Sequence, residues 1–202
     1  MKVVIVQASY HRKGYTSSLV DEFKKGVKSV NKNADIEVFN LLDSKVEFCT
    51  GCIQCSHDKS LKIGKCPIKD DVRGMLEKLV DADVVVFATP LYDFGPTALL
   101  KRFMERCVPM TYWDPYPKAR LPKKKGKYGV VLISAACPDP YNDLLLMTAY
   151  PRAVLSLYTR GFGCSKAYII SAGGMPVAER YNTKWKKRSY DLGVKIARKF
   201  KN

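Results

Sequence analysis

The chain has 202 residues, 47% of them hydrophobic, which is enough for one α/β domain with a substantial core. Its 35 Lys and Arg against 19 Asp and Glu leave a net charge of +16, concentrated between Lys118 and Lys127 and between Lys184 and Lys201. No apolar run reaches bilayer-spanning length, no signal-peptide pattern opens the chain and no nucleic-acid-reading element accompanies the basic stretches, so a membrane protein is excluded, nucleic acid is disfavoured as a partner and a cytoplasmic location is expected.

In chain order, Val3 to Leu19 reads as a strand, a polar loop bearing Gly14, and a helix N-terminus with Thr16 as a candidate cap. Such a junction turns backbone amides and the positive end of the helix dipole toward the loop, which suits a phosphate. Ser9, Arg12, Thr16 and Ser17 add hydroxyl and guanidinium donors. Neither the P-loop pattern nor the dinucleotide glycine fingerprint is present, so a nucleoside triphosphate is disfavoured. Leu19, Val20, Phe23, Val27 and Val30 recur at helical spacing, and Asp35 to Asn40 alternates like a strand, completing a βαβ unit. Residues 43 to 68 break the pattern with four cysteines and read as an insertion after the second strand. Beyond an Asp70 or Asp71 cap, Val72, Met75, Leu76, Leu79 and Val80 mark one buried helix face.

Val84 to Ala88 is a central parallel strand, ended by Thr89 to Gly95, and Pro96 suits the first turn of a helix burying Leu99, Leu100, Phe103, Met104 and Cys107. Residues 108 to 127, with four prolines, read as a long irregular loop that serves as a lid or a subunit contact. Tyr128 to Ala135 is the fourth strand and Ala167 to Ala172 the fifth. Between them Leu144 to Tyr158 is helical in pattern, with Pro151 kinking it or starting a second segment. A last helix covers roughly Asn182 to Phe200.

Strands alternating with helices predict an α/β chain: a doubly wound five-stranded parallel sheet in order 2-1-3-4-5, helices on both faces, in one domain over residues 1 to 202. Ligands in such sheets bind beyond the strand carboxyl ends near the switch point, which gathers residues 9 to 17, 89 to 95 and 134 to 142. The first loop can hold a phosphate, the second offers Tyr92, Phe94 and backbone amides to a flat ring, and the third supplies Ser134. That combination fits flavin mononucleotide, FMN.

These residues also carry a resemblance. Ser9-x-x-Arg12-x-Gly14-x-Thr16-Ser17, Cys49-Thr-Gly-Cys52-Ile-Gln-Cys55, Gly64-Lys-Cys66-x-x-x-Asp70-Asp71, and Thr89-Pro-Leu-Tyr92 with Lys101 downstream occur in this order. The chain resembles the flavodoxin-like NAD(P)H-dependent FMN reductase family, including its iron-sulfur flavoprotein branch. The resemblance implies FMN held through Ser9, Arg12, Thr16 and Ser17, through Pro90, Leu91, Tyr92, Asp93, Phe94 and Gly95, and near Ser134, with Tyr92 the side chain closest to the chemistry. It also implies reduction by NADH or NADPH and a homodimer or homotetramer. Tyr10 and Tyr15 replace the proline and asparagine common in the family's first loop, and Asp93 stands where an aromatic or small residue is expected.

Seven cysteines, an odd number in a chain without a secretion signal, argue against a disulfide framework. Cys49, Cys52, Cys55 and Cys66 have three readings: ligands of a 4Fe–4S cluster as in the iron-sulfur branch, a structural zinc site, or structural thiols near the flavin, the last being favoured. The functional expectation is an FMN-dependent NAD(P)H oxidoreductase that passes hydride to a small acceptor such as free flavin or a quinone. The alternative is an electron carrier using FMN and a cluster.

Overall fold

A computed structural model describes residues 1–200. Strand β1 (Lys2–Gln7) leads to helix α1 (Tyr15–Val30), strand β2 (Asp35–Asn40), a loop containing the 3-10 turn Gln54–Ser56, and helix α2 (Val72–Asp81). Strand β3 (Val84–Tyr92), the short β4 (Gly95–Pro96), α3 (Ala98–Glu105), and the hairpin strands β5 (Thr111–Trp113) and β6 (Pro117–Ala119) come next. The chain ends through β7 (Lys124–Ser134), α4 (Tyr141–Leu144), α5 (Ala149–Gly161), β8 (Cys164–Ala172) and α6 (Glu179–Arg198). The long strands pair in parallel in the order β2-β1-β3-β7-β8, the expected 2-1-3-4-5. No described helix is long and apolar enough to cross a membrane.

The pleat sends successive residues of each strand to opposite faces, and both faces are covered. Val3, Ile5, Val84, Val86, Val130 and Leu132 pack with Leu19 and Phe23 of α1 and Ile196 of α6. Val4, Val6, Val85, Phe87, Val131 and Ile133 pack with Leu76 of α2, Leu100 of α3 and Leu155 of α5. Burying each such side chain contributes about 1.5–3 kcal/mol. Helices α1 and α6 meet backbone to backbone: a Cβ on Gly26 would lie 2.1 Å from the Tyr190 carbonyl oxygen, and one on Gly193 2.3 Å from that of Phe23. Only glycine admits that crossing.

Lys127 is buried at the carboxyl end of α2, where its Nζ donates to the carbonyls of Leu79 (2.9 Å) and Val80 (2.7 Å). The ammonium thus satisfies last-turn carbonyls at the negative end of the helix dipole. Burial still disfavours its charge and pulls its pKa down to about 8. Below that pH the group is charged in both folded and unfolded chains, and the burial cost is fully present. Above it the folded chain releases the proton first, so this group's contribution to stability improves with pH until the unfolded lysine titrates as well. Relative to Lys127→Met, the wild-type chain is therefore expected to gain at most about 3 kcal/mol between neutral pH and pH 10, read by denaturant titration at each pH. A pH-independent difference between the two proteins would show that Lys127 is charged in the fold throughout.

Several elements depart from the sequence expectation. The third strand continues through Thr89 to Tyr92 and folds back on β4, with Asp93 (φ 46°) and Phe94 (φ 58°) forming a left-handed two-residue turn. Without Asn-Gly or Asp-Gly the sequence gives no signal for that hairpin, and Phe94 is a bulky residue in a costly conformation. Pro96 belongs to β4, and Thr97 caps α3 by accepting from the Leu100 amide at 3.4 Å. The stretch from 108 to 127 is not wholly irregular: it holds the β5-β6 hairpin and the start of β7, whose lysine-rich opening masks strand character. Pro151 lies in the first turn of a second segment, α5, after the separate α4. Helix α6 starts earlier than expected, at Glu179. Thr16 is not a cap; Gly14 holds that position.

Candidate functional site

The chain leaves β1 for β2 on one side and reaches β3 on the other, so the switch point lies between β1 and β3. Their ends are fastened together. The Ala8 amide donates to the Ala88 carbonyl at 2.8 Å, and Thr97 Oγ1 donates to the Ala8 carbonyl at 2.9 Å. Thr16 Oγ1 and Ser134 Oγ lie 2.7 Å apart and join the loops after β1 and β7.

These three loops enclose a pocket of about 250 Å³. Ser9, His11, Gly14, Tyr15 and Thr16 form one wall, Pro90, Leu91 and Tyr92 a second, and Ser134, Ala135 and Ala136 a third, with Pro176 at the edge. No described side chain caps α1, and its first turn carries no acidic residue, so the amides at that helix start have no protein partner of that kind. Uncapped amides beside the hydroxyls of Ser9, Thr16 and Ser134 suit an anion, and the proline, leucine and alanine walls suit an apolar ring. The donor set and the slot together fit FMN. A larger cavity of about 480 Å³ lies between β8 and α6, but it opens on the sheet edge rather than at the switch point.

The expected contacts divide into three groups. Ser9, Thr16, Pro90, Leu91, Tyr92 and Ser134 all line the pocket. Ser17 supports the loop from behind: its Oγ accepts from Gln7 Nε2 at 2.9 Å and donates to the His11 carbonyl at 3.3 Å. Arg12 is turned outward into a two-pronged, exposed pair with Asp43, whose hydrogen bond and charge raise the guanidinium pKa. Asp93, Phe94 and Gly95 lie in and beside the hairpin turn past the pocket wall, and the exposed Tyr92 ring stacks on Tyr10 with centroids 6.2 Å apart. The expected set omits His11, Gly14, Tyr15, Ala135, Ala136 and Pro176. Three of these lie within the loop already marked as a phosphate cradle, but Pro176 comes from the turn after β8, which no motif marks.

A family model described as NADPH-dependent FMN reductase matches residues 1–137. The chain belongs to that family. Among its relatives, an iron-sulfur flavoprotein of Methanocaldococcus jannaschii is 34% identical over 110 residues, 54% of this chain and 53% of the relative. The chain thus spans about half the length of that relative. An iron-sulfur flavoprotein of Archaeoglobus fulgidus is 25% identical over 207 residues, covering 97% of this chain and 87% of the relative. The fold is similar to that of an NAD(P)H:quinone oxidoreductase from Methanothermobacter marburgensis, with a TM-score of 0.77 and 20% identity over 97% of this chain and 96% of the other.

The cysteine loop is tied down by buried charge. Asp70 accepts from the amides of Glu47 (2.9 Å) and Val72 (3.2 Å), and Asp71 accepts from that of Lys45 (2.7 Å). Arg106 donates to Asp70 at 2.9 Å and to Cys66 Sγ at 3.0 Å. Burial opposes the guanidinium charge, but these two partners outweigh it and raise its pKa. The exposed Cys52 thiol is pulled down by the Gln54 amide and the Thr50 hydroxyl, whereas burial pushes Cys55 up. Among the described residues no three Cys, His, Asp or Glu side chains gather closely enough to hold a metal ion. In this arrangement Cys49, Cys52, Cys55 and Cys66 do not form a ligand cage for a cluster or for zinc.

Proposed function

We propose that the chain is an FMN-dependent oxidoreductase that oxidises NADPH or NADH and reduces a small acceptor such as a free flavin or a quinone, acting in the cytoplasm as a homodimer or homotetramer. The observation that carries this reading is the uncapped start of α1 facing an apolar slot at the switch point. FMN, when bound, supplies the hydride transfer between nicotinamide and acceptor. The protein's part is to bind and orient. Ser9, Thr16 and the first amides of α1 would hold the phosphate, with Ser134 keeping Thr16 in place across the crevice. Pro90, Leu91 and Tyr92 would present backbone and side chain to the ring, with the Tyr10 ring stacked on that of Tyr92. A net charge of +16 attracts both anionic cofactors to the surface.

Flavin-stripped protein is expected to take up FMN far more tightly than riboflavin, which lacks the phosphate, and then to oxidise NADPH or NADH when a quinone is supplied. Fluorescence titration and stopped-flow absorbance measure the two steps. Equal affinity for FMN and riboflavin would remove the phosphate assignment. Stoichiometric iron and sulfide in protein purified without oxygen would favour the electron carrier instead.

A further inference from the structure

The loop between β2 and α2 holds a pair of thiols that the flavin pocket does not use. Cys52 is exposed, and Cys55 is buried in the 3-10 turn Gln54–Ser56. The chain bends between them at Ile53, whose φ of 50° is a left-handed conformation that a β-branched residue rarely adopts, and Gly51, just before Cys52, also has a positive φ of 68°. Only Ile53 and Gln54 separate the two thiols, and the turn is closed by the Ser56 amide donating to the Ile53 carbonyl at 2.8 Å.

The surroundings give the three sulfurs different freedom. The backbone at Cys55 is fixed, because Arg120 Nη2 donates to its carbonyl at 3.0 Å and a Cβ on Gly64 would fall 1.7 Å from that same oxygen. Cys66 Sγ is held by Arg106, itself anchored by Asp70 in an ion pair whose side chains are 2% and 0% exposed. Of the three, Cys52 is exposed, Cys66 half-buried and Cys55 buried. A Cys-x-x-Cys spacing with an exposed first thiol, a buried second thiol and no metal cage is the arrangement of a dithiol that exchanges with external disulfides.

We propose that Cys52 and Cys55 form a reversible thiol–disulfide couple that exchanges with low-molecular-weight disulfides, while Cys66 stays outside it under Arg106. In the first step Cys52, its proton lost to solvent, attacks one sulfur of the small disulfide. That S–S bond breaks, a protein mixed disulfide forms, and the departing thiolate takes a proton from solvent. In the second step Cys55 loses its proton to solvent and attacks Cys52 Sγ. The mixed disulfide breaks, the Cys52–Cys55 bond forms, and the second small thiolate leaves and is protonated. Two protein thiols are oxidised by two electrons and one small disulfide is reduced to two thiols. Excess small thiol reverses both steps.

The experiment uses the full FMN-loaded chain, equilibrated with glutathione disulfide, quenched by alkylation and mapped by peptide mass spectrometry. The expected product is an intramolecular Cys52–Cys55 disulfide that disappears when reduced glutathione is added in excess. Cys55→Ser should stop at a glutathione adduct on Cys52, and Cys52→Ser, a change at an exposed position, should give neither product. A Cys55–Cys66 bond in the wild-type chain would overturn the pairing. A glutathione adduct that persists on Cys52 with Cys55 present would overturn the resolving role. Unreacted Cys52, or an iron-sulfur cluster occupying these thiols in protein purified without oxygen, would overturn the couple itself.

Discussion

Thr16→Asp is expected to weaken FMN binding by about a thousandfold while leaving the fold intact. Thr16 is buried in the first turn of α1, lines the pocket and meets Ser134 across it. A carboxylate there would sit beside the phosphate it displaces. Two like charges about 4 Å apart at an effective dielectric near 20 repel by about 4 kcal/mol, which is about three decades in affinity. The helix itself does not object, because an acidic group in the first turn is favoured by the dipole and can accept from the free amides. Thr16→Ser keeps the hydroxyl and is expected to bind FMN almost as the wild type does. Fluorescence titration reads the affinity and thermal unfolding reads the fold. If Thr16→Asp bound FMN with undiminished affinity, the phosphate would have to lie elsewhere.

Arg106→Met is expected to cost about 3–5 kcal/mol of stability, the range seen when one partner of a buried ion pair is removed. The reason is the group left behind. Asp70 is buried, and the Glu47 and Val72 amides bond to it without balancing its charge. Replacing both partners, Arg106→Met with Asp70→Asn, removes the stranded charge and should recover much of the loss. Denaturant midpoints of the two proteins check both statements. A loss below about 1 kcal/mol for the single change would mean that water reaches the pair, as it does for exposed pairs such as Arg12 with Asp43.

Much of the fold was legible before any tertiary information. The period-two pattern of Asp35 to Asn40 and the apolar run from Val84 to Ala88 fall within observed strands, and the helical spacing of Val72 to Val80 falls within α2. Alternation of strands with helices then leaves a parallel sheet as the economical arrangement, and 2-1-3-4-5, one of the common doubly wound orders, is the one the strands adopt. Boundaries failed where the local signal was weak or misleading. Lys124 to Lys127 reads as a basic loop yet opens a strand, since Lys127 buries its stem and satisfies two carbonyls at the end of α2. The β3-β4 hairpin turns on two residues without glycine, so no turn chemistry announces it.

The candidate site divides along the same line. Sequence alone determined that a phosphate-suited loop follows the first strand, that the loops after the first, third and fourth strands converge, and that four cysteines punctuate the loop after the second. These follow from local pattern, because periodicity reports which face of each element is buried and topology reports which ends meet. Only the tertiary structure decided which side chains face the pocket. Arg12 pairs with Asp43, Ser17 braces the loop from behind, and Thr16 reaches Ser134, 118 positions away in the chain. It also decided the state of the four cysteines: Cys52 exposed, Cys55 buried, Cys49 half-buried and Cys66 held by Arg106. The physical reason is that a polar side chain takes the strongest partner within reach, and that partner comes from whichever distant segment the fold delivers beside it.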